Sequence, residues 1–149
     1  MNLLLDTNIL LYFVKHRTPR LLMQKINPNG LKVFVSIVSI AELKSIALKN
    51  TWGFRKKQTT ISLLDEIIVV DINENFTDTY AEIDAYSQCR NPSYTNYPFI
   101  TPRNMGKNDL WIASTAALLG LKLVTTDADF NHLHEVFLEV QCLRSELLR

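Results

Sequence analysis

"NDLWIASTAALLGLKLVTTDADF", from Asn108 to Phe130, is the stretch whose reading decides the fold. "DLWIASTAALLG" reads as a helix, with Gly120 placed as its C-cap. "LKLVTT" from Leu121 reads as a strand, and Asp127 follows it. The chain's opening shows a related order. Leu3 to Leu5 read as a short buried strand, Asp6 follows, and Ile9, Leu10, Phe13 and Val14 recur at helical spacing. Further along, Thr18-Pro19 opens a helix through about Ile26, with proline at its first position. "NPNG" from Asn27 is a turn. "VFVSIVS" from Val33 reads as a buried strand, and "SIAELKSIALKN" from Ser39 as a helix. "IIVVDI" from Ile67 is another strand, and Phe76, Tyr80, Ile83 and Tyr86 mark the helix after it. A last apolar run, "VFLEVQCL", reads as an edge strand. Strands alternating with helices predict an α/β fold around a mostly parallel sheet.

The totals narrow the class. A length of 149 residues predicts a single domain, 1–149, large enough for a real core. A net charge of +1 supplies no bulk field toward nucleic acid or membrane, so any polyanion contact must be local. Cys89 and Cys142 form no CxxC and have no histidine at ligand spacing, which argues against a zinc site or disulfide framework. Asp6 and Asn8 interrupt the first apolar run, so it is not read as a signal peptide. No stretch approaches the ~18 apolar residues of a membrane helix. A cytoplasmic protein is expected.

Ligands of open parallel sheets bind beyond the carboxyl ends of the strands. Asp6 follows the first strand, Glu42 falls on the first turn of the helix after the second, and Asp127 follows "LVTT". Asp109 is different. It begins a helix that leads into a strand, which in a simple unit is expected to start at the opposite edge. On that reading it joins the others only if the long preceding loop bends the helix start over the top. Carboxylates sharing a cleft repel one another until a cation neutralises them. A hard Mg²⁺ or Mn²⁺ does so with oxygen ligands, acidifies a bound water and stabilises charge on a scissile phosphate.

Each acid also has a purely structural reading. Asp6 suits an N-cap, worth ~1 kcal/mol. Ser39-Ile-Ala-Glu42 matches a capping box, and Asp109 suits a first helical turn. "TDADFN" resembles the start of a calcium loop, but His132 and Leu138 stand where glycine and the bidentate glutamate belong, leaving Asp127 as a turn residue.

Taken together, "LLLDTNILLYF", "VSIVSIAELK" and "NDLWIASTAALLGLKLVTTDADF" resemble the successive signatures of the PIN domain, the nuclease fold of VapC-type toxins. The resemblance implies a three-layer α/β/α sandwich and an endoribonuclease with an acidic Mg²⁺ or Mn²⁺ pocket. By position, Asp6, Glu42, Asp109 and Asp127 match the four family acids, and Asp129 a further metal-site position. Asn8 and Thr125 match accessory polar positions. The resemblance also implies an RNA substrate, an antitoxin partner and a homodimer. A processing nuclease without an antitoxin, or a catalytically silent RNA-binding or assembly module, carries the same signatures. A receiver domain would want adjacent acids in its first loop, and a dehalogenase-like phosphatase D-x-D-x-T where this chain has D-T-N-I.

One segment departs from the pattern. "RNPSYTNYPFITPRNMGK", Arg90 to Lys107, is long, aromatic and without periodicity. Tyr94, Tyr97 and Phe99 have two readings, stacking on unpaired bases or packing the loop onto the domain. Arg103, Lys107 and the run Arg55-Lys56-Lys57 are candidates for phosphate contact, and the run reads equally as a solvated helix face.

Overall fold

The computed structural model describes residues 1–149. Three leucines open the sheet. Strand β1 (Leu3–Leu5) is buried at every position, because successive side chains point to opposite faces and both faces are covered. Leu3 and Leu5 join one apolar cluster, with Phe13, Val35 and Leu43, while Leu4 joins the other, with Ile83, Ile112 and Leu123. That division makes the three layers.

Helices α1 (Thr7–Lys15) and α2 (Pro19–Ile26) lead to β2 (Val33–Ser36). Helices α3 (Ile37–Lys49) and α4 (Phe54–Asp65) lead to β3 (Ile68–Val70). Helices α5 (Thr77–Ser87) and α6 (Lys107–Leu119) lead to β4 (Lys122–Thr125), and β5 (Glu139–Cys142) closes the sheet. The strand order is β3-β2-β1-β4-β5, with every pair parallel. The edge strand expected near the C-terminus is β5.

Leu5 pairs with both Val35 and Val124, so β1, β2 and β4 run level to their carboxyl ends. The chain leaves β1 toward β2 on one side and returns at β4 on the other. The crevice between the ends of β1 and β4 is therefore the switch point of the sheet.

Several boundaries differ from the sequence reading. β2 stops at Ser36, whose hydroxyl accepts the Val38 amide at 3.1 Å and caps α3. Ser39 consequently lies inside the helix, no capping box forms, and Glu42 falls on the second turn rather than the first. Helix α4 carries Arg55, Lys56 and Lys57 exposed, as both readings of that run require.

The placement of Asp109 needs no bent loop. Gly120 adopts φ +64° and ends α6, and the Leu121 amide bonds back to Ala116. β4 begins at Lys122, so α6 must run antiparallel to it. The start of such a helix lies at the carboxyl edge of the sheet, the edge where Asp6 emerges. The expectation of an opposite edge was a geometric misreading of the crossover unit.

The long loop is fastened by its aromatic side chains. Tyr86, 2% exposed, is met edge-on by Tyr94, Phe99 and Phe137 and at a tilt by Tyr97, with ring centroids 4.7–5.5 Å apart. The Tyr97 hydroxyl accepts the Asn91 amide and donates to the Asn91 carbonyl, both at 2.9 Å. These rings pack the loop onto the domain and are not displayed for base stacking. Tyr86→Ala should cost about 3–5 kcal/mol, as other large-to-small core aromatic changes do. Thermal melting and limited proteolysis check this, with new cleavage expected between Arg90 and Lys107. Unaltered melting would show that Tyr86 does not anchor the loop.

Candidate active site

Asp6 leaves β1 at the switch point and is only 3% exposed. It is the N-cap residue of α1, and its Oδ1 accepts the Thr7 amide at 2.8 Å. Its Oδ2 accepts the Thr125 hydroxyl at 2.7 Å. Thr125 Oγ1 in turn accepts the Asp127 amide at 2.9 Å. One hydroxyl at the end of β4 therefore ties the acid after β1 to the acid after its own strand. Asp127 caps the following 3₁₀ segment, Ala128–Leu133, by accepting the Asp129 amide on Oδ1 at 2.9 Å.

Glu42 is held from across the crevice. Thr7 Oγ1 lies 2.8 Å from Glu42 Oε1 and 2.9 Å from Ser39 Oγ. A carboxylate can only accept, so the Thr7 hydroxyl donates to Glu42 and accepts from Ser39. Thr7 and Ser39 are buried; Thr7 carried no distinguishing signal in the sequence, and Ser39 was read there only as a helix cap. Only the fold shows them in one line.

Asp109 stands on the first turn of α6, half-buried, beside Gly106 and facing a cavity of about 440 Å³ that Glu42 also lines. Burial, then the charges of Asp6, Asp127, Glu42 and Asp129, push its carboxyl up to about 7, and no hydrogen bond offsets them. Burial likewise raises Asp6, against the lowering effect of Thr125 and Thr7, with Asp127 and Glu42 adding to the rise. Asp109 thus lies within reach of the charge of all four other acids. Asn8 does not join them. It is exposed and borders a shallow depression with Tyr12, Lys15 and Thr126.

None of these acids forms an ion pair with a lysine or arginine, although Lys107 lines the cavity beside Glu42 and Asp109. No three acidic, histidine or cysteine side chains are drawn together tightly enough to chelate an ion by themselves. Mg²⁺ commonly binds one or two carboxylates and completes its shell with water and substrate phosphate. The all-oxygen donor set and its uncompensated charge fit such a hard cation.

A PIN domain family profile matches residues 3–136. The chain belongs to the PIN domain family. Within it, this PIN domain is 29% identical over 143 residues to Ribonuclease VapC2 of Haemophilus influenzae, covering 96% of this chain and 95% of that protein. Its fold resembles VapBC2 from Rickettsia felis bound to a promoter DNA fragment, with a TM-score of 0.74 and 21% identity over 95% of this chain and 98% of that one. It also resembles VapBC-1 from nontypeable Haemophilus influenzae, with a TM-score of 0.67 and 25% identity over the same shares.

The crowding of this PIN domain's acids gives a signed pH dependence. Without metal, folded Asp109 keeps its proton up to about 7, while the unfolded chain releases it near 3.8. Between those values the folded state binds more protons, so stability falls as pH rises. Asp109→Asn should therefore melt higher than the parent at pH 8 in chelator, by about 2–4 °C per kcal/mol of relieved repulsion. The two should converge near pH 4. Melting curves across that range test it, and an Asn variant that is less stable at pH 8 contradicts the charge-crowding account.

Proposed function

We propose that residues 1–149 form one PIN domain that acts as a divalent-metal-dependent endoribonuclease, the toxin of a toxin–antitoxin pair. The observation that carries the reading is that Asp6, Glu42, Asp127 and Asp129 all act on the charge of Asp109 while none of the five forms an ion pair with a lysine or arginine. The ribonuclease name of the Haemophilus relative and the VapBC assemblies of the structural neighbours support the activity and the antitoxin partner. A cytoplasmic location, where an RNA substrate would be met, is part of this reading; no helix is long and apolar enough to cross a membrane. The homodimer expected from the resemblance belongs to the same reading.

Asp6, Glu42, Asp109 and Asp127 would hold Mg²⁺ or Mn²⁺, with Asp129 at the rim. The ion would supply Lewis acidity toward the scissile phosphate and an acidified water. The chain's own contribution is preorganisation. The Thr7 amide and Thr125 hydroxyl fix both Asp6 oxygens, and the Thr7 hydroxyl fixes Glu42. The Asp129 amide orients Asp127. Asp109 is the one acid of the four that takes no hydrogen bond from the protein, so its charge waits on a cation. Its rise toward neutrality makes cation binding compete with a proton, and metal affinity should strengthen as pH increases.

Asp6→Asn and Asp127→Asn should each reduce Mn²⁺-dependent cleavage of a broad RNA panel by about 100-fold or more while keeping the folded circular dichroism spectrum. Undiminished cleavage by either variant would falsify the site. A parent protein that binds the panel but never cuts it would instead favour a silent RNA-binding module.

Thr7 is a positioning residue, acting through Glu42. Thr7→Val keeps the shape and removes the hydroxyl. The Mn²⁺ concentration for half-maximal activity should rise about 10–100-fold, with Thr7→Ser restoring it. An unchanged metal requirement in Thr7→Val would remove Thr7 from the site.

A further inference from the structure

Asp129 also lines a second cavity, of about 680 Å³, between the loop Pro98–Met105 and the 3₁₀ segment. That volume lies in the range that encloses a small organic ligand. The wall joins the acids at both ends. Asp129 lines the cavity itself, and Met105 precedes Gly106, which stands against the Asp109 carboxylate.

The loop side of this cavity is anchored to the fold. The Arg103 amide donates to the Ser87 carbonyl at the end of α5 at 2.7 Å. The neighbouring Gln88 amide donates to Asn104 Oδ1 at 3.0 Å, and to the Arg103 carbonyl at 3.4 Å. The Arg103 guanidinium sits 5.4 Å over the ring of Phe99, which is itself buried against Tyr86 and His132. Arg103 has no carboxylate partner. With Gln88 bonded to the oxygen of Asn104, its NH₂ group is left to donate, and Asn131 also lines the cavity. The site therefore offers the Arg103 cation and amide groups, beside Asp129 and two histidines and bounded by the apolar surfaces of Phe99, Met105 and Val136.

Proteins read unpaired RNA by placing bases on flat apolar or guanidinium surfaces and bonding to their edges. The aromatic rings of the loop are committed to packing, so that task falls to Arg103 and the two asparagines. We propose that this cavity is a subsite for one unpaired nucleotide of an RNA strand, next to the scissile phosphate that a cation at Asp6, Asp109 and Asp127 would bind. Arg103 meets the nucleotide's phosphate, and Asn104 and Asn131 meet its base edge. The subsite makes the enzyme selective for the base beside the cut. It rests on the ribonuclease reading, and it is built from the segment in which this chain departs from the family pattern.

The test uses the whole protein, Arg103→Ala and Asn104→Ala, each shown to be folded by its melting curve. A pool of unstructured RNA with randomised sequence is digested with Mn²⁺, and the product ends are sequenced. Arg103→Ala should lower kcat/KM by about 10-fold, mostly through KM, as expected for a lost charge-assisted contact. Asn104→Ala should flatten base preference at the position beside the cut. Wild-type KM and an unchanged cleavage pattern in both variants would overturn the subsite while leaving the ribonuclease reading intact. A parent that cuts no RNA ends the ribonuclease reading separately, and binding of a short fluorescent unpaired RNA then decides. Weakening by Arg103→Ala of about 10-fold supports the cavity, and equal binding refutes it. Loss of binding to a protein partner, with RNA handling unchanged, assigns the cavity to that partner instead.

Discussion

The Asp6 carboxylate is buried at the meeting point of β1 and β4, and the fold must stabilise it there. An isolated buried carboxylate would be neutralised rather than tolerated. Here each oxygen has a donor, the Thr7 amide on one side and the Thr125 hydroxyl on the other. Thr125 is available because β4 runs parallel to β1 and ends level with it. The same hydroxyl receives the Asp127 amide, so the position of the next acid follows from the support of the first. Thr7 performs a similar double duty, giving its amide to Asp6 and its hydroxyl to Glu42.

These supports oppose charge repulsion without cancelling it. Two threonines organise Asp6 and Glu42, whereas Asp109 receives burial and four like charges. On the proposed reading, that uncompensated charge would supply the affinity for a divalent cation.

The long loop shows how an extension can be incorporated without weakening the domain. Its tyrosines and Phe99 surround Tyr86, and Asn91 is buried with its amide bonded to the Glu82 carbonyl and carboxylate. With the loop held by its own rings, the short run from Arg103 to Met105 is presented beside the acids from a rigid base. Hydrophobic packing at one end of the segment thus fixes polar groups at the other.

The alternation of apolar runs by itself determined the α/β class, the parallel sheet and the order of its elements, because strand and helix periods are local properties. It also marked Asp6, Glu42 and Asp127 beyond the strand ends, whereas Asp109, read as starting at the opposite edge, was matched by the family resemblance. Local pattern misled at Ser39, where S-x-x-E resembled a cap that Ser36 had already supplied. It was neutral at Tyr94, Tyr97 and Phe99, whose composition suits both stacking and packing; burial around Tyr86 chose packing. Only the tertiary structure revealed that Thr7 reaches across 35 positions to Glu42 and Thr125 across 119 to Asp6. Those bonds depend on the register between strands distant in sequence, and register is set by the assembled sheet, not by any one stretch of the chain.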